Sequence, residues 1–284
     1  MKKRTEKLFI AGLAVIAGTS MFAGKILEFN VDADKKISVS GGSAKTFKFT
    51  NAKVAVAKNC IDLKLPKGSR RGHVGGVDIT PSSPADSWAA MYKDGKLNGA
   101  VSLFLSTSTG LDAKTKPNTI RCLDHNNRNN NGLRMVLLSI HNQLAVEVIS
   151  KKDGLIYSNG KKGLHLMFRG NTPMKANTAY HVAVTFQTAA DGTITGKLYC
   201  KEGYGGIVPG KDKVVGSSKF KLNPAVVKNG FTAGVFKYGK MSNDGPAPLE
   251  QRFARLALYD SVPKELPALN EKFAEAAEAS PGKK

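Results

Sequence analysis

The 284-residue sequence predicts an all-β fold, a two-sheet antiparallel β-sandwich, on three observations. Short segments that alternate apolar and polar residues recur along most of the chain. Gly, Asn, Asp and Lys punctuate them, and no long helical periodicity separates one from the next, which argues for packed antiparallel sheets over a parallel α/β arrangement. The clearest segment is 180–200, YHVAVTFQTAADGTITGKLYC. Tyr180, Val182, Val184 and Phe186 point to one side of a strand and His181, Ala183 and Thr185 to the other. After a turn at Asp191-Gly192 the same period of two resumes with Ile194, Leu198 and Cys200. Two antiparallel strands with one buried face are expected here.

Taken in order, the chain opens on a basic stretch, Lys2, Lys3, Arg4 and Lys7, followed by an apolar or small run over 8–18 and small residues over 19–24. This is the pattern of a secretory signal peptide, cleaved after Ala23 or alternatively after Ser20. The run is shorter than the roughly 20 residues that a membrane span needs, and no second such run follows, so no membrane span is expected. A secreted protein, periplasmic or extracellular, is the implied product. Its organisation is a signal peptide over 1–23, one sandwich domain over 24–262 and a helix with a tail over 263–284.

Alternation predicts eleven strands, at 25–30, 45–50, 61–65, 100–106, 133–140, 144–150, 163–168, 179–186, 193–200, 231–237 and 252–259. Polar stretches at 68–87, 112–132 and 203–219 read as long loops, which are where binding residues concentrate. The last segment reads as a helix: Ser261 can cap, Pro263 suits an early position, and 268–279 is rich in Ala, Glu and Leu, with Leu269 and Phe273 on one face.

The formal charge is +21, and the leader carries four positive side chains and Glu6, so its removal leaves about +18. Anionic partners are favoured, with salt-sensitive affinity. The basic residues are 34 Lys and 9 Arg. Arg is the residue suited to bidentate phosphate and base-edge contacts, so specific nucleic-acid reading is disfavoured. Dispersed lysines, among them Lys45, Lys48, Lys64, Lys197, Lys219 and Lys221, read as the polar faces of strands. Cys60, Cys122 and Cys200 show no C-x-x-C spacing; one disulfide with a free thiol, or three free thiols, both remain open.

The strand pair Tyr180-His181-Val182-Ala183-Val184-Thr185 and Gly196-Lys197-Leu198-Tyr199 resembles the central pair of laminin-G-like jelly rolls, in the concanavalin A-like lectin and glucanase superfamily. The ending RFARLALYDSVPKELPALN is similar to that family's closing strand and tail. The resemblance spans 133–273 and is weak before it. Ala254 stands where the family usually has an acidic residue. The resemblance implies a non-catalytic module that binds an extracellular or cell-surface glycan, here an anionic one. An acidic-polysaccharide lyase or glycoside hydrolase of the same superfamily is the alternative, and a structural or protein-interaction domain a further one.

Enzymatic readings meet obstacles in the residues. A retaining glycosidase needs two carboxylates about 5–5.5 Å apart, and no string of alternating acids occurs; Glu147 lies between Val146 and Val148. Alginate-lyase-like jelly rolls share the Ala-Gly-Val of 230–238, GFTAGVFKY, and Ser139-Ile140-His141 resembles their Q-I-H strand. That alignment puts Phe236 at the proton-transferring Tyr, and a Phe ring has no hydroxyl to exchange a proton. His141 with Tyr238, two residues on and on the same side of the strand, is the remaining catalytic pair of the alternative reading. No G-x-S-x-G elbow and no histidine zinc spacing occur.

For ligand binding the candidates are Trp88, Tyr92, His141, Lys237 and Tyr238: aromatic rings for stacking on sugar faces, and a cation and an imidazole for acidic groups. Tyr157 and Tyr204 also fall near predicted turns. No cofactor is expected, with calcium as the alternative through Asp124, Asn126 and Asn129 in an Asn-rich loop, since Ca²⁺ takes sets of 6–8 hard oxygen ligands.

Overall fold

The computed structural model describes residues 24–40, 46–50, 53–65, 75–81, 83, 87–107, 120–126, 133–140, 143–150, 153–227, 235–241 and 249–273. Twenty strands account for most of them. The first six are β1 Lys25–Val31, β2 Ile37–Ser40, β3 Thr46–Thr50, β4 Lys53–Ala57, β5 Cys60–Leu65 and β6 Gly75–Thr80. A small hairpin, β7 Tyr92–Lys93 and β8 Lys96–Leu97, precedes β9 Gly99–Thr107, β10 Ile120–Asn126, β11 Leu133–Ile140 and β12 Gln143–Ser150. Then come β13 Leu155–Tyr157, β14 Lys162–Gly163, β15 His165–Pro173, β16 Ala179–Thr188, β17 Ile194–Glu202, β18 Val214–Leu222, β19 Val235–Met241 and β20 Leu249–Tyr259.

They form an all-β sandwich, as the alternation predicted. The larger sheet runs β14-β13-β18-β17-β16-β9-β20-β1-β2, with β5 on β20 and β4 on β5, and the smaller runs β15-β12-β11-β10-β19-β6-β3. Every pairing is antiparallel. Val182, Val184, Phe186, Ile194 and Leu198 from the larger sheet meet Leu144, Val146, Val148 and Phe168 from the smaller in one apolar core. Gly196 is needed at that contact, because a Cβ there would lie 2.9 Å from Phe168 Cζ. No helix among the described residues is long and apolar enough to cross a membrane.

Five local expectations are corrected. Each of the three polar stretches read as a loop contains a strand: β6 in 68–87, β10 in 112–132 and most of β18 in 203–219. Their Gly, Ser, Asp and Asn content masked an alternation that cross-strand packing satisfies, which is why strand propensity is so dependent on context. The closing helix expected over 268–279 is absent from its described part, because 261–273 form bends and extended chain. Its backbone groups are spent elsewhere. Leu266 exchanges both backbone hydrogen bonds with Ile207, at 3.0 and 2.7 Å, and Leu269 N–H donates to the Tyr204 carbonyl at 2.9 Å. Tertiary contact overrides a propensity worth only tenths of a kcal/mol per residue.

The fifth correction concerns the strand pair at 180–200. The turn lies where expected: Ala189 N–H donates to the Thr193 carbonyl, Gly192 takes φ +79°, and Asp191 accepts from the Thr193 amide at 2.9 Å. One buried face was predicted, yet the first eight residues of β16, and all nine of β9, are buried on both faces. The second cover comes from the chain segments 203–213 and 261–273, which lie across the outer face of the larger sheet.

Candidate functional site

The outer face of β16 and β17 divides into a covered half and an open half. In the covered half His181, fully buried, stacks on Phe104 with ring centroids 4.1 Å apart, and its Nε2 and Nδ1 hydrogen-bond with Ser102 Oγ at 2.7 Å and the Gly205 carbonyl at 2.8 Å. Burial pushes its pKa down from 6.5 to about 4 against the raising effect of the Gly205 bond, with Arg255 and Lys201 adding repulsion, so the ring is neutral. Two small apolar clusters seal this half. One joins Ala100, Ala183, Tyr199, Ala257 and Tyr259 to Ile207 and Leu266; the other joins Cys60, Phe104, Ala179 and Ala254 to Phe273.

Arginines on β20 anchor the tail. Arg255 sits at a bulge between Ala254 and Leu256 with φ +37°, and its Nε donates to Glu28 at 2.6 Å while Nη1 donates to the Ala268 carbonyl at 3.0 Å. Arg252 Nε donates to Asp62 at 2.6 Å. Each pair is part-buried, where losing one partner strands a charge. The loop is held by Lys201, whose Nζ donates to the Gly206 carbonyl at 2.7 Å and pairs with Asp212 at 3.1 Å; Asp212 in turn accepts from Val208 N–H at 2.6 Å. That backbone bond, with Lys201 beside it, holds the Asp212 carboxyl below its usual range.

Beyond Thr185, itself buried, the cover stops and the outer face hollows into a groove of about 490 Å³. Thr185 and Gln187 of β16 and Thr195, Lys197 and Tyr199 of β17 make its floor; Pro209, Gly210 and the stretch Val262, Pro263 and Lys264 make its walls. The floor follows from register, since Thr185 lies opposite Lys197 and Gln187 opposite Thr195, all on the side away from the core. A second hollow, of about 610 Å³, adjoins it over β17, β18 and β13, lined by Tyr157, Ser158, Asp191, Thr195, Lys219 and Lys221 among others. Ala189 and Thr195 line both, so the two form one trough.

The chemistry of the trough is hydroxyl, amide and ammonium. Asp191 is the one acid among its lining residues. Its carboxyl, held low by the Thr193 hydroxyl and amide, pairs with Lys221 at 3.5 Å. Lys197, Lys219 and Lys264 have no ion-pair partner among the described residues. Tyr157 is half-buried: its hydroxyl donates to the His165 carbonyl at 2.7 Å, and its ring lies over Gly163, where a Cβ would come within 2.1 Å of Tyr157 Cζ. The ring is thereby fixed at the edge of the trough.

The residues singled out from sequence do not converge there. Trp88 is fully buried in a short 3₁₀ turn, Trp88–Met91, capped by Ser87, so it offers no ring face to a ligand. Tyr92, half-buried in the β7–β8 hairpin, lies outside the trough lining. Tyr238 is fully buried; its hydroxyl donates to the Ala254 carbonyl at 3.1 Å, its ring meets Phe29 and Phe253 edge-on, and burial raises its pKa well above 10.0. A polymer cannot reach that hydroxyl, so Tyr238 is a core residue and neither a binding group nor a proton donor. Lys237 occupies β19 in the smaller sheet, opposite Asp78 and Asp124.

His141 and Asn129 lie outside the described residues. Asp124 and Asn126, expected in a calcium-binding loop, are in β10 instead, paired in the ladder with Lys237 and Val235. Among the described residues no three His, Cys, Asp or Glu gather at metal-binding distance. All three cysteines are free, and burial raises each thiol to about 12, leaving them unreactive at neutral pH. Of the trough residues that sequence reasoning missed as a site, Lys197, Lys219 and Lys221 were read only as the polar faces of strands. Pairing Lys197 with its neighbours on an unpredicted β18 was the missing signal.

No protein-family model and no curated protein matches the chain. Solved structures do resemble it. The botulinum neurotoxin serotype C1 binding domain matches over 89% of this chain and 50% of that one, at 12% identity and a TM-score of 0.52. A structure reporting that cell entry of botulinum neurotoxin type C depends on interaction with two ganglioside molecules matches 89% of this chain and 49% of its own, at 13% identity and a TM-score of 0.54. The binding domain of botulinum neurotoxin DC in complex with rat synaptotagmin II matches 89% and 51%, at 12% identity and a TM-score of 0.50. The chain spans about half the length of these neurotoxin chains. At such identities the likeness is one of fold, an all-β sandwich.

Proposed function

We propose that this protein is a secreted, non-catalytic binding module of the laminin-G-like kind, and that it holds an anionic glycan in the trough over β16, β17 and β18. The observation that carries the reading is the lining itself. Three lysines with no ion-pair partner among the described residues stand among Gln187, Thr195 and Ser158, a set that can neutralise acidic groups and exchange hydrogen bonds with sugar hydroxyls. The charge of about +18 that remains without residues 1–23 favours the same partner at long range. Structures of similar fold described with gangliosides agree with a sugar-binding use of such a sandwich.

The test is a glycan array probed with the protein lacking residues 1–23, at low and high salt. Acidic glycans are retained at low salt and released at high salt, while neutral glycans are not retained. Absence of retention at low salt removes the glycan reading and leaves a protein partner as the better one.

A further inference from the structure

Resting on that glycan reading, we infer that the trough takes an internal run of a linear acidic polysaccharide, laid across the strands from β16 to β13, rather than a chain end or a single small anion. The two hollows, about 490 and 610 Å³, each fall in the range of a site for one whole small molecule, and they are confluent through Ala189 and Thr195. From β16 through β17 and β18 to β13 is three strand steps, about 14 Å at the ~4.8 Å spacing of paired strands. A single sugar covers only part of that length.

The charges are spread along the same line. Lys264 stands on the wall beside β16, Lys197 on β17 and Lys219 on β18. Lys197 lies opposite Ser217 and Lys219 opposite Thr195, so the two lysines occupy diagonal positions, with Cα atoms roughly 7–8 Å apart. To engage all three, one phosphate or carboxylate would have to draw together side chains from two strands and the wall. Successive acidic groups on a polymer meet them where they stand, with Gln187 and Thr195 nearby for hydroxyls. At the far end Lys221 is offset by Asp191, and the fixed ring of Tyr157 takes over as an apolar contact. The trough therefore grades from cationic to neutral and aromatic along its length.

Calorimetric titration of the protein with heparin-derived di-, tetra-, hexa- and octasaccharides tests this. Affinity is expected to rise about tenfold or more from di- to hexasaccharide and then level off, as the trough fills. Lys219→Ala is expected to bring the hexasaccharide down towards disaccharide affinity and so to flatten the rise with length. Lys175→Ala, at an exposed ion pair with Glu202 outside the trough, is expected to leave the series unchanged. Equal affinity for di- and hexasaccharide overturns the inference but leaves the glycan reading standing. So does a rise that continues past the octasaccharide and ignores Lys219→Ala, since that describes a diffuse basic surface. Failure of every oligosaccharide to bind, in agreement with an empty acidic-glycan array, removes the glycan reading itself.

Discussion

The two halves of the β16 outer face differ in a way that strand periodicity does not encode. His181 and Ala183 lie under the 203–213 loop and the tail, wholly buried, while Gln187, on the same side of the same strand, is exposed. The covered half has apolar and aromatic neighbours and one neutral imidazole, and its groups are matched by named partners. The open half has Lys197, Lys219 and Lys264 without an ion-pair partner among the described residues, and one pair, Lys221 with Asp191. Cover removes water from one half and makes it part of the core; its absence leaves the other half free to exchange water for a ligand. The same two segments do both, since Ile207 and Leu266 seal the first half while Pro209, Gly210 and Val262 to Lys264 wall the second.

Substitutions on either side of the boundary should therefore separate stability from binding. The largest effect is expected at Phe273, 2% exposed and packed with Cys60, Phe104 and Ala254 beneath the tail. Phe273→Ala should cost about 3–5 kcal/mol in denaturant unfolding, with glycan affinity of the folded protein unchanged. A loss below 1 kcal/mol would make the tail an ornament on the sandwich and erase the contrast.

The next effect is a pH dependence. His181 titrates near 4 in the folded protein against 6.5 when unfolded, so between those values the unfolded chain binds the extra proton and stability falls as pH falls. About 3 kcal/mol should be lost from pH 6.5 to 4, and His181→Gln should flatten that part of the profile. An unchanged slope in the variant would assign the loss to other groups.

In the open half the sign reverses. Lys197→Ala is expected to leave stability within about 0.5 kcal/mol and to weaken acidic-glycan binding about tenfold, with a shallower salt dependence. Destabilisation without loss of affinity would make Lys197 a structural residue. The smallest effect is expected from Lys221→Ala, because Asp191 already offsets that charge. Its affinity should change less than that of Lys219→Ala in the same titration.

Much of this was legible in the sequence and some was not, for physical reasons. The strand at 179–186 stood out because bulky apolar residues alternate there without interruption, and those at 133–140 and 252–259 because they are rich in bulky apolar residues. β18 did not, because Val214–Leu222 places Gly216, Ser217 and Ser218 at its centre, and the packing of its partners rather than its own residues makes it a strand. Of the floor of the trough, Thr185 and Lys197 were visible as outward or polar positions within a predicted pair. What selected those positions over others was the placing of distant segments around them, and a period of two carries no information on that. Trp88 and Tyr238 failed as site residues for the complementary reason: residue type suggested ligand contact, while burial decided otherwise.

The central claim is that the open half of this face is where the ligand sits. Amide chemical shifts of isotope-labelled protein, followed during addition of an acidic hexasaccharide, test it most directly. The account predicts changes gathered at Thr185 to Ala189, Thr195 to Tyr199, Lys219 to Lys221 and Val262 to Lys264, with little at Ala179 to Ala183. Saturable changes concentrated on the smaller sheet, around Lys237 for example, with the trough silent, would contradict it.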